Sequence, residues 1–165
     1  MSTAQHLLSE FDQEMATTRK MLDRFPDGRA EWRPHEKSMT LGRLVGHVAE
    51  VPWWATETMR VERFEVDPKA YNAVIATSRE QILKYFDENV KVARAAIANA
   101  SDEDLRKDWT FLMDGKVLFT MPRMAVLRAF VLSHLIHHRG QLTVYYRLNN
   151  IPIPAIYGPS ADEQS

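Results

Sequence analysis

Three histidines in this sequence are candidate metal ligands, because each lies on the face of a predicted helix that would be buried. His134 and His138 are four residues apart, so on a helix their imidazoles project side by side and can converge on one ion. His47 falls between Leu44 and Val51, on the apolar stripe of an earlier predicted helix. Three imidazoles leave a tetrahedral or octahedral ion at least one open position, which is typical of a catalytic site. The spacing therefore predicts a divalent metal ion on these three histidines.

The histidine pair lies in the middle of a predicted fourth helix, on a seam that steps alternately by three and four residues. The seam comprises Met124, Leu127, Val131, His134, His138, Gln141, Tyr145 and Leu148. A buried imidazole needs partners for both ring nitrogens, and this largely aliphatic seam offers few of them. The alternative is that the histidines are core residues bonded to backbone carbonyls or to each other. His137 lies about 100° round the helix from His138 and is predicted to flank the site.

Three further polar residues are candidates for catalysis beside the histidines. Glu50 follows His47 by one turn and is predicted to orient a ligand or to act as a general base. Gln141 and Tyr145 follow His138 on the same face, where they could orient a metal-bound water or a substrate. The alternatives are an exposed helix glutamate and two packing residues with one hydrogen bond each. Glu50, Gln141 and Tyr145 are the candidate catalytic residues.

Four predicted helices position these side chains. Their approximate ranges are 2–24, 38 or 40 to 59, 77–100 and 122–149. Capping boxes mark the start of the first, at Ser2 and Gln5, and of the third, at Thr77 and Glu80. Pro52 withdraws a backbone donor within the second helix and is predicted to kink it.

The segment between the third and fourth helices carries apolar runs on either side of Asp114-Gly115, a pair that favours the tight turn of a hairpin. A hairpin of this size would be an appendage to the helices. The tail from Ile151 is too rich in proline to continue the last helix. The sequence therefore predicts an all-α fold, a single four-helix-bundle domain over residues 1–165, with a small β-hairpin between helices 3 and 4.

Composition limits the classes of function. The chain has 165 residues, 45% of them hydrophobic, which is enough for the core of one ordinary domain. It has no cysteine, which excludes a disulfide scaffold, a zinc ribbon and a cysteine nucleophile. The 21 basic residues balance 22 acidic ones without clustering, which argues against nucleic acid as a partner. Without a signal-like segment or a long apolar run, the sequence predicts a cytoplasmic protein that makes no membrane contact.

Five segments of the sequence resemble those of the DinB-like family of metal-dependent enzymes, also called the DinB/YfiT superfamily. In chain order they are Trp32–His35, Leu41–Glu50, Ser133–Leu142, Tyr145–Leu148 and Pro152–Glu163. The His-His-Arg-Gly-Gln element within the third of them is fairly specific. The five segments appear in the expected order and extend over nearly the whole chain.

Such a resemblance implies a four-helix bundle, commonly a homodimer, with a nickel- or zinc-type ion on one histidine of the second helix and a pair on the fourth. Those positions match His47, His134 and His138 without departure. Some family members are thiol-dependent transferases or isomerases that use low-molecular-weight bacterial thiols, the metal holding the sulfur as a thiolate. Since this chain has no cysteine, any thiol must arrive as a cosubstrate, and the ion would lower its pKa.

Three functions fit these observations. The first is a thiol S-transferase, in which a small-molecule thiol binds the ion and attacks an electrophile. The second is a hydrolase in which a metal-bound water is the nucleophile and Glu50 is the base. The third is a non-catalytic dimer that the metal stabilises. Histidine ligands suit zinc, nickel, copper and iron alike, so zinc or nickel is expected from the resemblance and not from the ligand type.

Overall fold

Helices and a small sheet follow one another along the chain, and the computed structural model describes residues 2–164. In chain order the elements are α1 (Thr3–Leu22), α2 (Leu41–Arg60), β1 (Arg63–Val66), α3 (Arg79–Ala98), α4 (Asp102–Arg106), β2 (Asp108–Met113), β3 (Lys116–Pro122), α5 (Arg123–Val126), a π-helical segment (Leu127–Ser133) and α6 (His134–Leu148). The last three are contiguous, so the predicted fourth helix is one helical stretch that changes its pitch partway.

The predicted all-α four-helix bundle is wrong, because the described residues include a three-stranded mixed sheet in the order β1-β2-β3. β1 pairs in parallel with β2, and β2 pairs antiparallel with β3. β1 has only four residues, of which Phe64 and Val66 are half-buried, a pattern too short to be recognised from the sequence. Trp109 of β2 is fully buried. The sheet is therefore part of the core and not an appendage.

The turn between β2 and β3 forms where the sequence predicted it. Asp114 and Gly115 both have positive φ, at 49° and 71°, as a two-residue hairpin turn of the I′ type requires. Gly115 tolerates this conformation because it has no Cβ, and aspartate is among the few other residues that adopt it readily.

The helix starts follow their capping residues. The Ser2–Gln5 capping box is present at α1. At α3 the cap is Ser78, whose hydroxyl accepts a hydrogen bond from the Gln81 backbone, so the Thr77–Glu80 box was placed one residue too early. α2 continues through Pro52 to Arg60.

α2 lies at the centre of the molecule and packs against α3, α6 and the π-helical segment. Its least exposed apolar side chains are Leu41, Leu44, Val45, Val48, Ala49, Val51 and Ala55. A helix that is apolar on most of its faces is stable only when it is surrounded by other elements. This packing fixes the helix that carries His47. No helix within residues 2–164 combines the length and apolar character that crossing a membrane requires.

An extended segment, the strap (residues 71–77), crosses α2 next to His47. Two glycines of α2 allow its close approach. The Ala76 amide donates a hydrogen bond to the Gly42 carbonyl oxygen at 2.9 Å. At Gly46, a Cβ atom would lie 2.1 Å from the Val74 carbonyl oxygen, far inside van der Waals contact. The strap can lie here only because residue 46 has no side chain.

We therefore expect Gly46→Ala to lower the free energy of unfolding by about 1–3 kcal/mol, because overpacking must push the strap away. Gly140→Ala is the matched control, since no neighbouring group in the described part of the chain lies within 4 Å of the Cβ that it would add to α6. That change should stabilise the protein by up to about 1 kcal/mol, as a helical glycine is replaced. Urea denaturation measures both, and equal destabilisation by both changes would contradict the prediction.

Candidate metal centre

The structure brings together the three histidines that the sequence singled out. Each of His47, His134 and His138 offers a ring nitrogen, and these atoms all lie within 4.8 Å of one another. The Nε2 atoms of His47 and His134 are 3.1 Å apart. α2 supplies the first ring and α6 the other two, four residues apart on one side of the helix, so the packing of α2 on α6 assembles the cluster.

The other ring nitrogen of each histidine has an acceptor outside the cluster. His47 Nδ1 is 2.7 Å from Oε1 of Glu50, and His134 Nδ1 is 3.2 Å from the Phe130 carbonyl oxygen. His138 Nδ1 is 2.8 Å from Oε1 of Gln141. These acceptors assign a proton to every Nδ1 atom, which leaves the lone pair of every Nε2 atom available to an ion.

Such an arrangement fits a metal ion. Ligand nitrogens at about 2.0–2.1 Å from an ion are separated by roughly 2.9 Å at right angles and roughly 3.4 Å in a tetrahedron, and the 3.1 Å between His47 and His134 lies between these values. A proton shared by two Nε2 atoms would satisfy that pair but not His138 as well. The carboxylate, carbonyl and amide acceptors behind the rings also match the partners that usually orient metal-bound histidines.

Burial keeps His134 and His138 in the neutral form, which is the form that binds a cation. It lowers the pKa of His134, and it lowers the pKa of His138 to about 4, because a charged imidazolium loses solvation there. The neighbouring histidines oppose a second positive charge in the same way. Both rings are therefore unprotonated at neutral pH.

The metal-free protein should lose stability as the pH falls from about 6.5 to about 4. In this interval the unfolded chain binds protons at His134 and His138, whose ordinary pKa is 6.5, while the folded protein resists them. The unfolded state then holds more protons, so lowering the pH favours unfolding. Melting temperatures measured across this range test it. A His134→Gln/His138→Gln variant should show a flatter profile, and an unchanged profile would contradict the prediction.

Glu50 is buried, with 5% of its surface exposed, and it is the hub of a hydrogen-bond network. Its Oε1 accepts from His47, from Arg43 Nη2 at 2.9 Å and from the Tyr71 hydroxyl at 2.7 Å. Desolvation alone would raise the pKa of Glu50, but the hydrogen bonds from His47 and Tyr71 and the charge of Arg43 together hold it below its ordinary value. Burial and the bond to Glu50 raise the pKa of Tyr71 to about 12, so its hydroxyl stays a donor.

The sequence did not indicate Arg43 and Tyr71 as parts of the site. Arg43 lies one turn before His47 on α2, while Tyr71 belongs to the strap, which has no periodic pattern. The only available signal was the i, i+4 and i, i+7 spacing of Arg43 to His47 and Glu50. Glu50 itself contacts the ring nitrogen that points away from the cluster, a position suited to orienting His47.

Gln141 and Tyr145 line a cleft of about 470 Å³ beside His138, together with Lys37 and Met39. Gln141 bonds His138 through its carbonyl oxygen and the exposed His137 through its amide nitrogen, at 3.1 Å. The Tyr145 hydroxyl donates to the Met39 carbonyl oxygen at 3.1 Å. Gln141 therefore positions a histidine, and Tyr145 forms a wall of the cleft.

The predicted inward seam of the fourth helix holds only for its first half. Beyond the π-helical segment the buried positions are Leu135, Arg139, Leu142 and Tyr146, whereas Leu148 is 58% exposed. A π turn holds more residues than an α turn. The side of the helix that faces the core therefore cannot be extrapolated through the π-helical segment from residue spacing alone. The two histidines of α6 consequently lie half-buried at the rim of the core, where a ligand from solvent can reach them.

Comparison with known proteins identifies a family. Residues 10–142 match the sequence model of the DinB superfamily. The uncharacterized protein YrdA of Bacillus subtilis (strain 168) is 27% identical over 165 residues, 98% of this chain and 92% of that protein.

Two crystal structures of DinB-like proteins are similar to this fold. One, from Bacillus cereus ATCC 10987, has a TM-score of 0.69 at 27% identity and covers 92% of this chain and 95% of its own. The other, YjoA from Bacillus subtilis, has a TM-score of 0.66 at 18% identity, with coverage of 90% and 96%. At that lower identity the likeness concerns the fold alone.

Proposed function

This chain belongs to the DinB superfamily, and from that membership and its three-histidine cluster we propose that it is a metal-dependent enzyme of the thiol S-transferase type. His47, His134 and His138 would hold a divalent ion, zinc or nickel. The observation that carries the proposal is the convergence of one ring nitrogen from each of the three histidines within 4.8 Å, with each ring held by a hydrogen bond at Nδ1. Such an ion, when bound, supplies the positive charge that favours the thiolate form of a thiol cosubstrate.

The state of Glu50 supports a thiol as the nucleophile more than a water. A general base must have a lone pair available for the proton that it takes. Oε1 of Glu50 already accepts from three donors, and Oε2 is 3.4 Å from the Val74 amide. A thiol, with an ordinary pKa of about 8.5, reaches its reactive form near neutral pH with much less help from a protein base than water needs. Glu50 therefore acts in our proposal by orienting His47.

The cleft beside His138 is where the cosubstrate would bind. Lys37 and Gln141 supply polar groups along it, and Leu44 and Tyr145 supply apolar walls. The ammonium group of Lys37 favours a thiol that carries a carboxylate, because opposite charges attract across the half-open cleft. Tyr145 packs edge to face against Trp32, whose ring centre lies 5.7 Å away, and this contact helps to position the wall.

The test is turnover of a generic electrophile by metal-loaded protein in the presence of several low-molecular-weight thiols, both anionic and neutral. We expect a thiol-dependent rate that His138→Ala abolishes, with anionic thiols preferred. His137→Ala is the matched control, since it removes an exposed histidine one position away and should keep most of the rate.

Equal rates for the wild type and His138→Ala would refute the transferase proposal. Hydrolysis of esters or amides without any thiol would instead favour the hydrolase.

A further inference from the structure

A second cavity, the aromatic pocket, lies where β1 and the start of the strap meet the C-terminal half of α2. It has a volume of about 300 Å³, and four of its lining side chains are aromatic: Trp53, Trp54, Phe64 and Tyr71. It does not include the three histidines, and nothing in the proposed reaction uses it. A concave site with this lining is typical of small-molecule binding.

The rings that line the aromatic pocket stand at steep angles to one another. Phe64 is 5.4 Å from Trp53 and 5.3 Å from Trp54 between ring centres, with interplanar angles of 83° and 80°. Tyr71 adds a further wall from the strap, where its hydroxyl is fixed by Glu50. Rings in such a corner border a bound group from several directions and can present their electron-rich faces to it.

The same pocket carries uncompensated negative charge. Glu65 and Asp67 line it, and neither forms an ion pair within residues 2–164. Their hydrogen bonds come from backbone amides, at Gly115 and Lys69, each at 2.8 Å, which hold the carboxylates in place without neutralising them.

Lys69 and Arg43 lie near the aromatic pocket without lining it. Lys69 lines the adjoining surface cleft together with Glu65, Asp67 and Asp114, so three carboxylates there face one ammonium group. Arg43 lies behind Tyr71, and its charge is paired with Glu50. The charged lining of the pocket itself is therefore acidic.

We propose that the aromatic pocket binds a small organic cation, of the quaternary or alkylated ammonium class. Aromatic faces attract such a cation through their quadrupoles, and the two carboxylates add a direct charge attraction. A metal cation fits less well, because two carboxylates line the pocket while most of its other lining side chains are apolar or aromatic. The proposal does not depend on whether the histidines hold a metal.

The probe is benzyltrimethylammonium, compared with neopentylbenzene, a neutral molecule of nearly the same shape. Titration calorimetry, supported by tryptophan fluorescence, measures both affinities on the complete chain. We expect the cation to bind between about two- and thirtyfold more tightly than the neutral compound, the range that cation–π attraction gives. Equal affinities, measured below the solubility limit of the neutral compound, or no binding of the cation at millimolar concentration, would overturn the proposal.

Variants locate the binding. Glu65→Gln/Asp67→Asn should reduce the preference for the cation, and Ala70→Phe should block both compounds by filling the pocket from an exposed position. The control Glu62→Gln/Asp108→Asn removes the same charge from exposed positions of the same region that do not line the pocket. Circular dichroism verifies that each variant folds. Unchanged binding in Ala70→Phe would place the ligand elsewhere and refute the assignment.

Discussion

Replacing either His134 or His138 by alanine should lower the affinity for zinc and nickel by more than about hundredfold. Loss of an outer partner of a metal ligand typically costs 10- to 100-fold, and loss of a ligand itself must cost more. Two remaining imidazoles provide one ligand fewer for the ion, since the site consists of three ring nitrogens that lie within 4.8 Å of one another. Competition with a chromophoric chelator measures the affinity, and elemental analysis of protein purified without an affinity tag measures the stoichiometry.

Two further variants should have metal affinities closer to that of the wild type. His137→Ala should leave one ion per chain bound with nearly unchanged affinity, because His137 is exposed and contacts Gln141 rather than the cluster centre. The metal affinity of Glu50→Gln should lie between those of His137→Ala and His138→Ala. We expect a loss of about 10- to 100-fold, because this change removes the charge that orients His47 but keeps the His47 ring. Wild-type affinity in both His134→Ala and His138→Ala would show that the cluster is not a metal site.

The grouping of the three histidines could be predicted because it depends on local spacing and on one helix contact. An i, i+4 pair on a helix converges whatever the rest of the fold does. The orienting residues could not be predicted in full. Tyr71 reaches Glu50 only because the strap crosses α2 over Gly42 and Gly46, and a sequence pattern does not show that two helical glycines receive an extended segment.

The third strand of the sheet, β1, was missed for a related reason. β1 has four residues and pairs with β2, which follows it only after α3 and α4. Parallel pairing between distant segments leaves no local signal, whereas the hairpin of β2 and β3 is specified by its own turn at Asp114 and Gly115. The extent of the fourth helix was likewise predictable, but its phase beyond Ser133 was not, because the π-helical segment changes the pitch.

Arg139 is a charged residue that is almost completely buried, which its residue type does not suggest. It follows His138 on α6, yet only 1% of its surface is exposed. Its guanidinium donates to Glu14 Oε2 at 2.6 Å, to Thr18 Oγ1 at 3.0 Å and to the Tyr157 hydroxyl. Tyr157 in turn donates to Glu14 at 2.9 Å. This network joins α1, α6 and the C-terminal tail through a charge that has no access to water.

We expect Arg139→Met to lower the free energy of unfolding by about 3–5 kcal/mol, because it leaves the Glu14 carboxylate buried without its cation. Arg94→Met, which breaks an exposed pair with Asp12, should cost much less, because solvent screens that pair. Adding Glu14→Leu to Arg139→Met should recover part of the loss, since no uncompensated charge then remains in the core. Chemical denaturation of the four proteins measures these differences. If Arg139→Met cost no more than Arg94→Met, the buried pair would contribute little to holding the tail against the helices.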